Sequence, residues 1–222
     1  VLSDGSEILD ASTVSPDHVI TADTSLAREI EILRGPAALL YGGGTIAGVV
    51  NVLDSKIPTE IPAEGVEGSI EMSGETAARE RAGAVGITAG EGVVALRVEG
   101  ARRRADDYRV PHWTESRVPN SKAESTSGSV GLSWVGSRGF LGAAYSYRKD
   151  DYGLPGHSHE YEDCHPHGPT LHCGAHDHDH HDHDDEEPGH ADHTATAHAR
   201  SDRVDVRGEL YDPFPGFTNL KF

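Results

Sequence analysis

Histidine and acidic residues are concentrated in one stretch of the chain, between His157 and His198. This stretch holds thirteen of the fifteen histidines, eleven Asp or Glu residues, both cysteines and no Lys or Arg. Imidazole nitrogens and carboxylate oxygens are ligands of zinc, nickel and copper. Their density indicates a protein that handles divalent metal ions. The ligand types do not select zinc, because Cu²⁺ generally outcompetes Zn²⁺ at such sites.

Charge is distributed unevenly along the chain. The 37 Asp and Glu residues outnumber the 19 Lys and Arg residues, which gives a net charge of −18. The stretch from His157 to His198 contributes −11, because it holds 11 acids and no base, and the remaining 26 acids against 19 bases contribute −7. Such a field attracts cations and argues against nucleic acid or an anionic membrane surface as a partner.

From about residue 66 onward, apolar and polar residues alternate in segments of about ten, which is the period of β-strands. Short glycine-containing turns alternate with long polar loops at about 107–126 and 152–200. This pattern predicts an all-β, transmembrane antiparallel β-barrel with short periplasmic turns, long extracellular loops and a polar lumen. We count six strands and a stub beginning at Phe217. Since an open sheet cannot span a membrane, we expect further strands to complete the barrel.

A water-soluble β-sandwich is the alternative architecture, because its strands alternate in the same way. A long acidic loop between adjacent strands is unusual in a sandwich and favours the barrel. Charged residues also fill the face opposite the apolar one, as a wet lumen requires: Arg97, Glu99, Arg203, Asp205, Arg207 and Glu209. No run of about 18 apolar residues occurs, so a membrane-spanning helix is excluded.

Residues 1–57 follow a different pattern. Ile30 to Arg34 and Ala47 to Val52 are short strand candidates, Ala37 to Tyr41 fits one helical turn, and the glycines at 42–44 require a tight bend. No Gly-Lys-Ser/Thr motif accompanies these glycines, so a phosphate-binding loop is not expected.

Cys164 and Cys173 lie in the polar, His-rich loop. In a cytosolic protein they would suggest metal-binding thiolates, and in an exported protein a disulfide that closes a small loop. The outer-membrane barrel pattern of the surrounding strands favours the disulfide.

Several segments resemble a known family. Ile30–Gly42, followed by Gly48–Val52, resembles the second half of the plug domain of TonB-dependent outer-membrane receptors. Tyr152–His165 and Leu171–Asp177 are similar to the third extracellular loop of zinc-uptake receptors of that family.

The resemblance implies that the chain is a fragment of a longer receptor. Residues 1–57 would be the C-terminal part of an α+β plug. Residues 58–222 would be the N-terminal part of a 22-stranded barrel in the bacterial outer membrane, with the His-rich loop 152–200 extracellular. Transport would be driven by the TonB–ExbB–ExbD complex, and the barrel would contact outer-membrane lipid.

The candidate metal ligands lie in two places. A lone His beside an Asp, such as Asp17-His18, is usually a solvated turn, but the resemblance implies that zinc receptors use such a pair in the plug. Loop 152–200 is interpreted either as a folded cap stapled by the two cysteines, followed by an unstructured metal-gathering half, or as a merely solvated acidic segment. The candidate ligands are Asp17, His18, His157, His159, Glu160, His165, His167, His172, His176, His178, His180, His181 and His183.

Together these features predict an importer for which zinc, or another divalent metal, is the transported substrate. The metal would be captured by the loop and passed to Asp17-His18. An enzyme is not expected, because no His-Glu-x-x-His or comparable zinc-hydrolase spacing occurs. Import of haem or a metallophore complex by the same fold is the alternative.

Overall fold

The computed structural model describes residues 1–8, 24–35, 48–111, 116–155, 164–167, 170–173 and 195–222. Within these ranges all regular secondary structure is β-strand, and the strands form sheets of four, two and seven strands. The described part of the chain contains no helix long and apolar enough to cross a membrane.

The four-stranded sheet, here the small sheet, is formed near the N-terminus by β1 (Leu2–Ser3), β2 (Ser6–Glu7), β3 (Ala27–Leu33) and β4 (Val49–Asp54), in the order β2-β1-β4-β3. Strand β1 runs parallel to β4, whereas the other pairs are antiparallel. Strands β3 and β4 confirm the two strand candidates with shifted ends. The β1–β2 hairpin was not predicted, and the predicted helical turn and glycine bend at 37–44 lie outside the described residues.

The seven-stranded sheet is a meander of antiparallel neighbours. Its strands are β5 (Val66–Glu75), β6 (Glu80–Glu91), β7 (Val94–Ala105), β8 (Ala123–Gly136), β9 (Gly139–Gly153), β12 (Thr196–Tyr211) and β13 (Asn219–Lys221). The order is β13-β12-β9-β8-β7-β6-β5. The prediction of six strands and a stub is confirmed, although the stub begins at Asn219. A separate hairpin, β10 (Cys164–His167) with β11 (Thr170–Cys173), lies in the loop between β9 and β12.

From β6 onward the connections alternate in length, as predicted, whereas β5 and β6 are joined by the short turn 76–79. Residues 92–93, 137–138 and 212–218 make the short connections at one end of the sheet, and Gly92 takes the left-handed φ of 62° that its tight turn requires. Residues 106–122 and 154–195 make the long loops at the other end. In outer-membrane barrels in general, the long loops are on the extracellular side.

The two faces of the seven-stranded sheet have opposite character. Apolar side chains are exposed on one face: Met72 is 85% exposed, Ile70 75% and Leu132 56%. The next residue along the chain from Leu132, Ser133, is 2% exposed on the other face. A water-soluble sandwich buries its apolar face, so this pattern is that of a barrel wall with a lipid-facing exterior and a polar interior.

Candidate metal-binding loop and inner-wall contact

The loop between β9 and β12 begins and ends at a fixed stem. Fifteen register pairs join the two strands, from Gly153 opposite Thr196 to Gly139 opposite Leu210. Just beyond them, the Leu154 backbone N–H donates to the Ala195 carbonyl oxygen at 3.0 Å. The two ends of the predicted metal-binding loop are therefore held one strand spacing apart.

Asn120, from the neighbouring loop 106–122, locks this stem. Its side-chain Nδ2 donates to the carbonyl oxygens of Ala195 at 2.6 Å and Leu154 at 3.4 Å. Its backbone takes a left-handed φ of 59°, which Asn tolerates better than most residues. Gly153 permits this approach, because a Cβ there would overlap the Asn120 carbonyl oxygen.

The β10–β11 hairpin brings together five of the residues selected from the sequence. Cys164 is paired with Cys173 and His165 with His172 in an antiparallel register. Because successive strand residues alternate between faces, the two cysteines share one face of the hairpin. His165, His172 and His167 have register positions on the other face. Directly opposed residues have the Cα separation that a disulfide needs, and the Cys164–Cys173 disulfide stays a prediction.

The remaining candidate ligands lie outside the described residues, so the structure does not place them: Asp17, His18, His157, His159, Glu160, His176, His178, His180, His181 and His183. Among the residues that the structure does describe, no group of three or more His, Cys, Asp or Glu side chains is arranged to hold a metal ion.

His198 is the last histidine of the rich stretch, and it lies in β12 at the stem. Its Nδ1 is 2.5 Å from Asp151 Oδ1, and Lys149 Nζ is 2.7 Å from the other oxygen of the same carboxylate. This triad was not predicted, because only the cross-strand register places His198 opposite Asp151. Asp151 therefore binds a histidine and a lysine of the wall.

An ion cluster joins the small sheet to the inner, polar face of the wall. Arg207 of β12 donates through Nη1 to Asp4 and through Nη2 to Asp54, both at 2.9 Å. Lys56 Nζ lies 2.7 Å from Asp54 Oδ2 and 3.1 Å from Asp205 Oδ2. The ion cluster thus comprises Asp4, Asp54, Lys56, Asp205 and Arg207, and its side chains are at most 27% exposed.

The two acids of the small sheet titrate differently. Burial, followed by the hydrogen bond and charge of Asp54, raises the pKa of Asp4 to about 7. Burial also acts to raise the pKa of Asp54, but the hydrogen bond with Asp4 and the charge and hydrogen bond of Lys56 hold it below its ordinary value. Asp4 is therefore the acid that holds a proton near neutral pH, and Asp54 is the anion that the two bases hold.

Two glycines in the strand interiors let the chain after β4 lie against the wall. A Cβ at Gly131 would overlap the Lys56 carbonyl oxygen, and a Cβ at Gly142 would lie 2.6 Å from Ile57 Cγ2. Glycine inside a strand commonly marks such a close approach. The sequence carries this signal at both positions, but the contact with Lys56 and Ile57 was not predicted.

A cavity of about 120 Å³ separates the small sheet from the wall. Its lining includes Asp54 and Lys56 of the ion cluster, and charged wall residues such as Glu99 and Arg203. Hydroxyl groups line much of the remainder, from Ser3, Ser127, Ser129, Ser146 and Ser201. Ile8, Leu26 and Val52 add apolar surface, so the lining is mixed, and its charged and hydroxyl groups can bind water molecules.

Comparison with known proteins identifies this architecture. Over 162 residues the chain is 30% identical to the vitamin B12 transporter BtuB of Photobacterium profundum, covering 70% of this chain and 26% of that protein. The fold matches that of the copper transporter OprC with a TM-score of 0.67 and 13% identity, over 99% of this chain and 28% of OprC. This is the fold of a TonB-dependent outer-membrane receptor. No protein-family model matches the chain.

In the TonB-dependent receptor fold, the seven-stranded sheet is a part of the barrel wall. The chain spans 26% of BtuB and 28% of OprC, so it corresponds to about a quarter of each. The small sheet ends at Asp54 and the wall begins at Val66. The division into plug residues 1–57 and barrel residues 58–222 stays a prediction. Both similar proteins are named as transporters, in line with the expected non-enzymatic role.

Proposed function

We propose that this chain is part of an outer-membrane receptor that imports zinc, or another divalent metal ion, into the periplasm. The observation that carries the proposal is the composition of the long loop between β9 and β12, where twelve histidines and eleven acids occur without one base. The loop leaves the wall at its long-loop end, which in this class of barrel faces the outside of the cell. The similarity to a copper transporter supports a metal cargo.

Capture is the first step of the proposed mechanism. The loop's charge of −11 concentrates cations near the pore, and many weak, interchangeable sites raise the effective concentration of metal there. The stem at Leu154, Ala195 and Asn120 keeps this store of ligands above one position on the barrel rim.

Transfer inward is the second step. We propose that Asp17 and His18 receive the ion, together with ligands from other parts of the receptor, since two ligands do not complete a zinc sphere. Force from TonB–ExbB–ExbD would then rearrange the plug. The contacts that such a movement must break include the ion cluster and the seat of Lys56 on Gly131.

A second candidate cargo is a metal complex such as haem or a metallophore. The 30% identity to a vitamin B12 transporter favours this candidate, because it indicates a barrel able to pass a large ligand. Histidines of the loop would then grip the metal of the complex.

The deciding experiment is uptake of labelled zinc by cells whose full-length gene is replaced by a variant. The variant carries Gln at every histidine from 157 to 193, which retains loop length and acidity. We expect zinc uptake and growth under zinc limitation to fall, whereas His112→Gln, in the other long loop, serves as the matched control. Normal zinc uptake by the multiple-Gln variant would overturn the proposal. If the purified receptor binds haem, and free zinc does not displace the haem, the second candidate is favoured.

Acidification provides an independent test on the purified receptor. Imidazole with a pKa of about 6.5 is mostly neutral at pH 7 and mostly protonated at pH 5, so each ligating histidine weakens metal binding by roughly 20-fold over that range. Calorimetric titration with zinc at both pH values measures the change. An affinity that does not depend on pH would exclude histidine capture.

A further inference from the structure

The outer face of the wall changes character just beyond its apolar band. On β7 the exposed residues Val94, Leu96 and Val98 are followed on the same face by Arg102 and Arg104. The register places Arg81 of β6 directly opposite Arg104. We call Arg81, Arg102 and Arg104 the arginine cluster. All three are exposed, on the lipid-facing side and at the long-loop end.

The arginine cluster carries more positive charge than its protein neighbours balance. Glu124 of β8 is opposite Arg104 and bonds Arg102 Nη2 at 2.5 Å. Within the described residues, neither Arg81 nor Arg104 forms an ion pair shorter than 4 Å. Two like charges directly opposite across a strand pair destabilise the sheet unless a counter-charge lies between them.

On the same face of β9 and β12 the positive charges are paired with carboxylates. The excess of positive charge is therefore confined to β6 and β7. Lys149 Nζ lies 2.7 Å from Asp151, and Arg200 Nε lies 2.8 Å from Asp202. The net charge of the chain argues against an anionic surface as a partner. On β6 and β7 the local distribution has the opposite sign.

A shallow groove of about 440 Å³ lies beside the arginine cluster on the same outer face. Ile70, Met72 and Val85 supply its apolar surface, and Arg102 borders it. Gly83 and Gly100 keep it open, because neither has a side chain to fill it. An apolar groove with a cationic border matches a ligand that has a hydrocarbon chain and an anionic head.

We propose that this face of β5–β7 binds a phosphorylated lipid of the outer leaflet, with an acyl chain in the groove and its phosphate between Arg81, Arg102 and Arg104. Guanidinium groups bind phosphate oxygens in a bidentate manner, and one phosphate supplies the counter-charge that the Arg81–Arg104 pair needs. The arginines follow the apolar band toward the extracellular end, where the lipid headgroups lie. The proposal requires the barrel to lie in the outer membrane, but not that its cargo is zinc.

The test is native mass spectrometry of the purified full-length receptor with diphosphoryl lipid A as the probe. We expect the wild type to retain the lipid and the triple variant Arg81→Gln, Arg102→Gln, Arg104→Gln to bind it on the order of 100-fold more weakly, at the strength typical of three basic residues beside anionic lipid. Arg200→Gln, on the same face, is the control for charge and should bind as the wild type does.

A second variant tests the groove without removing a charge. Gly100→Leu fills it, and its Cβ would lie no closer than 3.6 Å to the Ser127 carbonyl oxygen, so the strand itself is not strained. We expect Gly100→Leu to weaken lipid binding, whereas Ala89→Leu, lower on the outer face, should not. Equal lipid retention by the wild type, the triple variant and Gly100→Leu would overturn the proposal, as would displacement of the lipid by millimolar inorganic phosphate. Zinc uptake by the same variants is measured separately, so the two proposals can fail independently.

Discussion

Gly131→Ala is the substitution that tests how the small sheet is seated on the barrel wall. The added Cβ would overlap the Lys56 carbonyl oxygen, and it would lie 2.9 Å from the Lys56 carbonyl carbon and 3.3 Å from Ala144 Cβ. The obstructing atoms are backbone, so the segment after β4 must move away from the wall. This movement separates Lys56 from Asp205, which are now 3.1 Å apart.

The loss of stability expected in Gly131→Ala has two sources. Overpacking of a close contact costs about 1–3 kcal/mol. Separating the largely buried Lys56–Asp205 pair adds on the order of 1 kcal/mol, because Lys56 retains its bond to Asp54 at 2.7 Å. We therefore expect local opening of the segment to become easier by about 3 kcal/mol, which is roughly a 100-fold increase in the opening constant.

Hydrogen exchange of the β4 amides, Val49–Asp54, in the purified full-length receptor measures this change, since exchange reports local opening free energies. Gly100→Ala is the matched control: it adds the same methyl group to the outer face, where the Cβ lies 3.6 Å from its nearest neighbour. If β4 exchanges at the same rate in Gly131→Ala, Gly100→Ala and the wild type, the close seat on Gly131 does not hold the small sheet.

Three further predictions concern the ion cluster, the stem and the cysteines. The pKa of Asp4 is about 7 when the small sheet is attached to the wall, above its ordinary value of 3.8. Asp4 therefore binds a proton in the attached state that it releases in the detached state. The attachment of the small sheet should weaken as pH rises from about 4 to about 7. Urea titrations at pH 5 and pH 8 measure this loss of stability, and Asp4→Asn should abolish the difference between the two pH values. Asn120→Ala removes two hydrogen bonds from the stem and should destabilise it by about 2 kcal/mol, measured as faster exchange of the Ala195 and Leu154 amides. Thiol titration of the unfolded, unreduced receptor should find no free thiol at Cys164 or Cys173; two free thiols would contradict the disulfide.

The barrel wall was predictable because each strand carries its own evidence. Leu132 and Ser133 are neighbours in sequence, yet one is exposed and the other buried. The same alternation runs through β6 and β12 and through parts of β7, β8 and β9, whereas β5 is exposed throughout. Lipid outside and water inside leave few other arrangements for such a pattern. Strand ends were less well predicted, since the stub starts at Asn219 rather than Phe217.

The contacts between the sheets were not predictable, because they depend on residues remote in sequence. Nothing near Arg207 indicates that it would bind Asp4 and Asp54. The β1–β2 hairpin was missed for a related reason: two-residue strands carry no period, and β1 is held in part by its parallel pairing with β4. Side-chain chemistry identified the histidines of the hairpin, but only the register of β10 and β11 assigns them positions relative to the cysteines.

The fifteen pairs between β9 and β12, closed by the Leu154–Ala195 bond, hold these neighbouring strands together whatever sequence runs between them. Evolution can therefore lengthen, shorten or rewrite that insertion without disturbing the cylinder beneath it. The same independence lets an engineer graft another recognition segment at this junction.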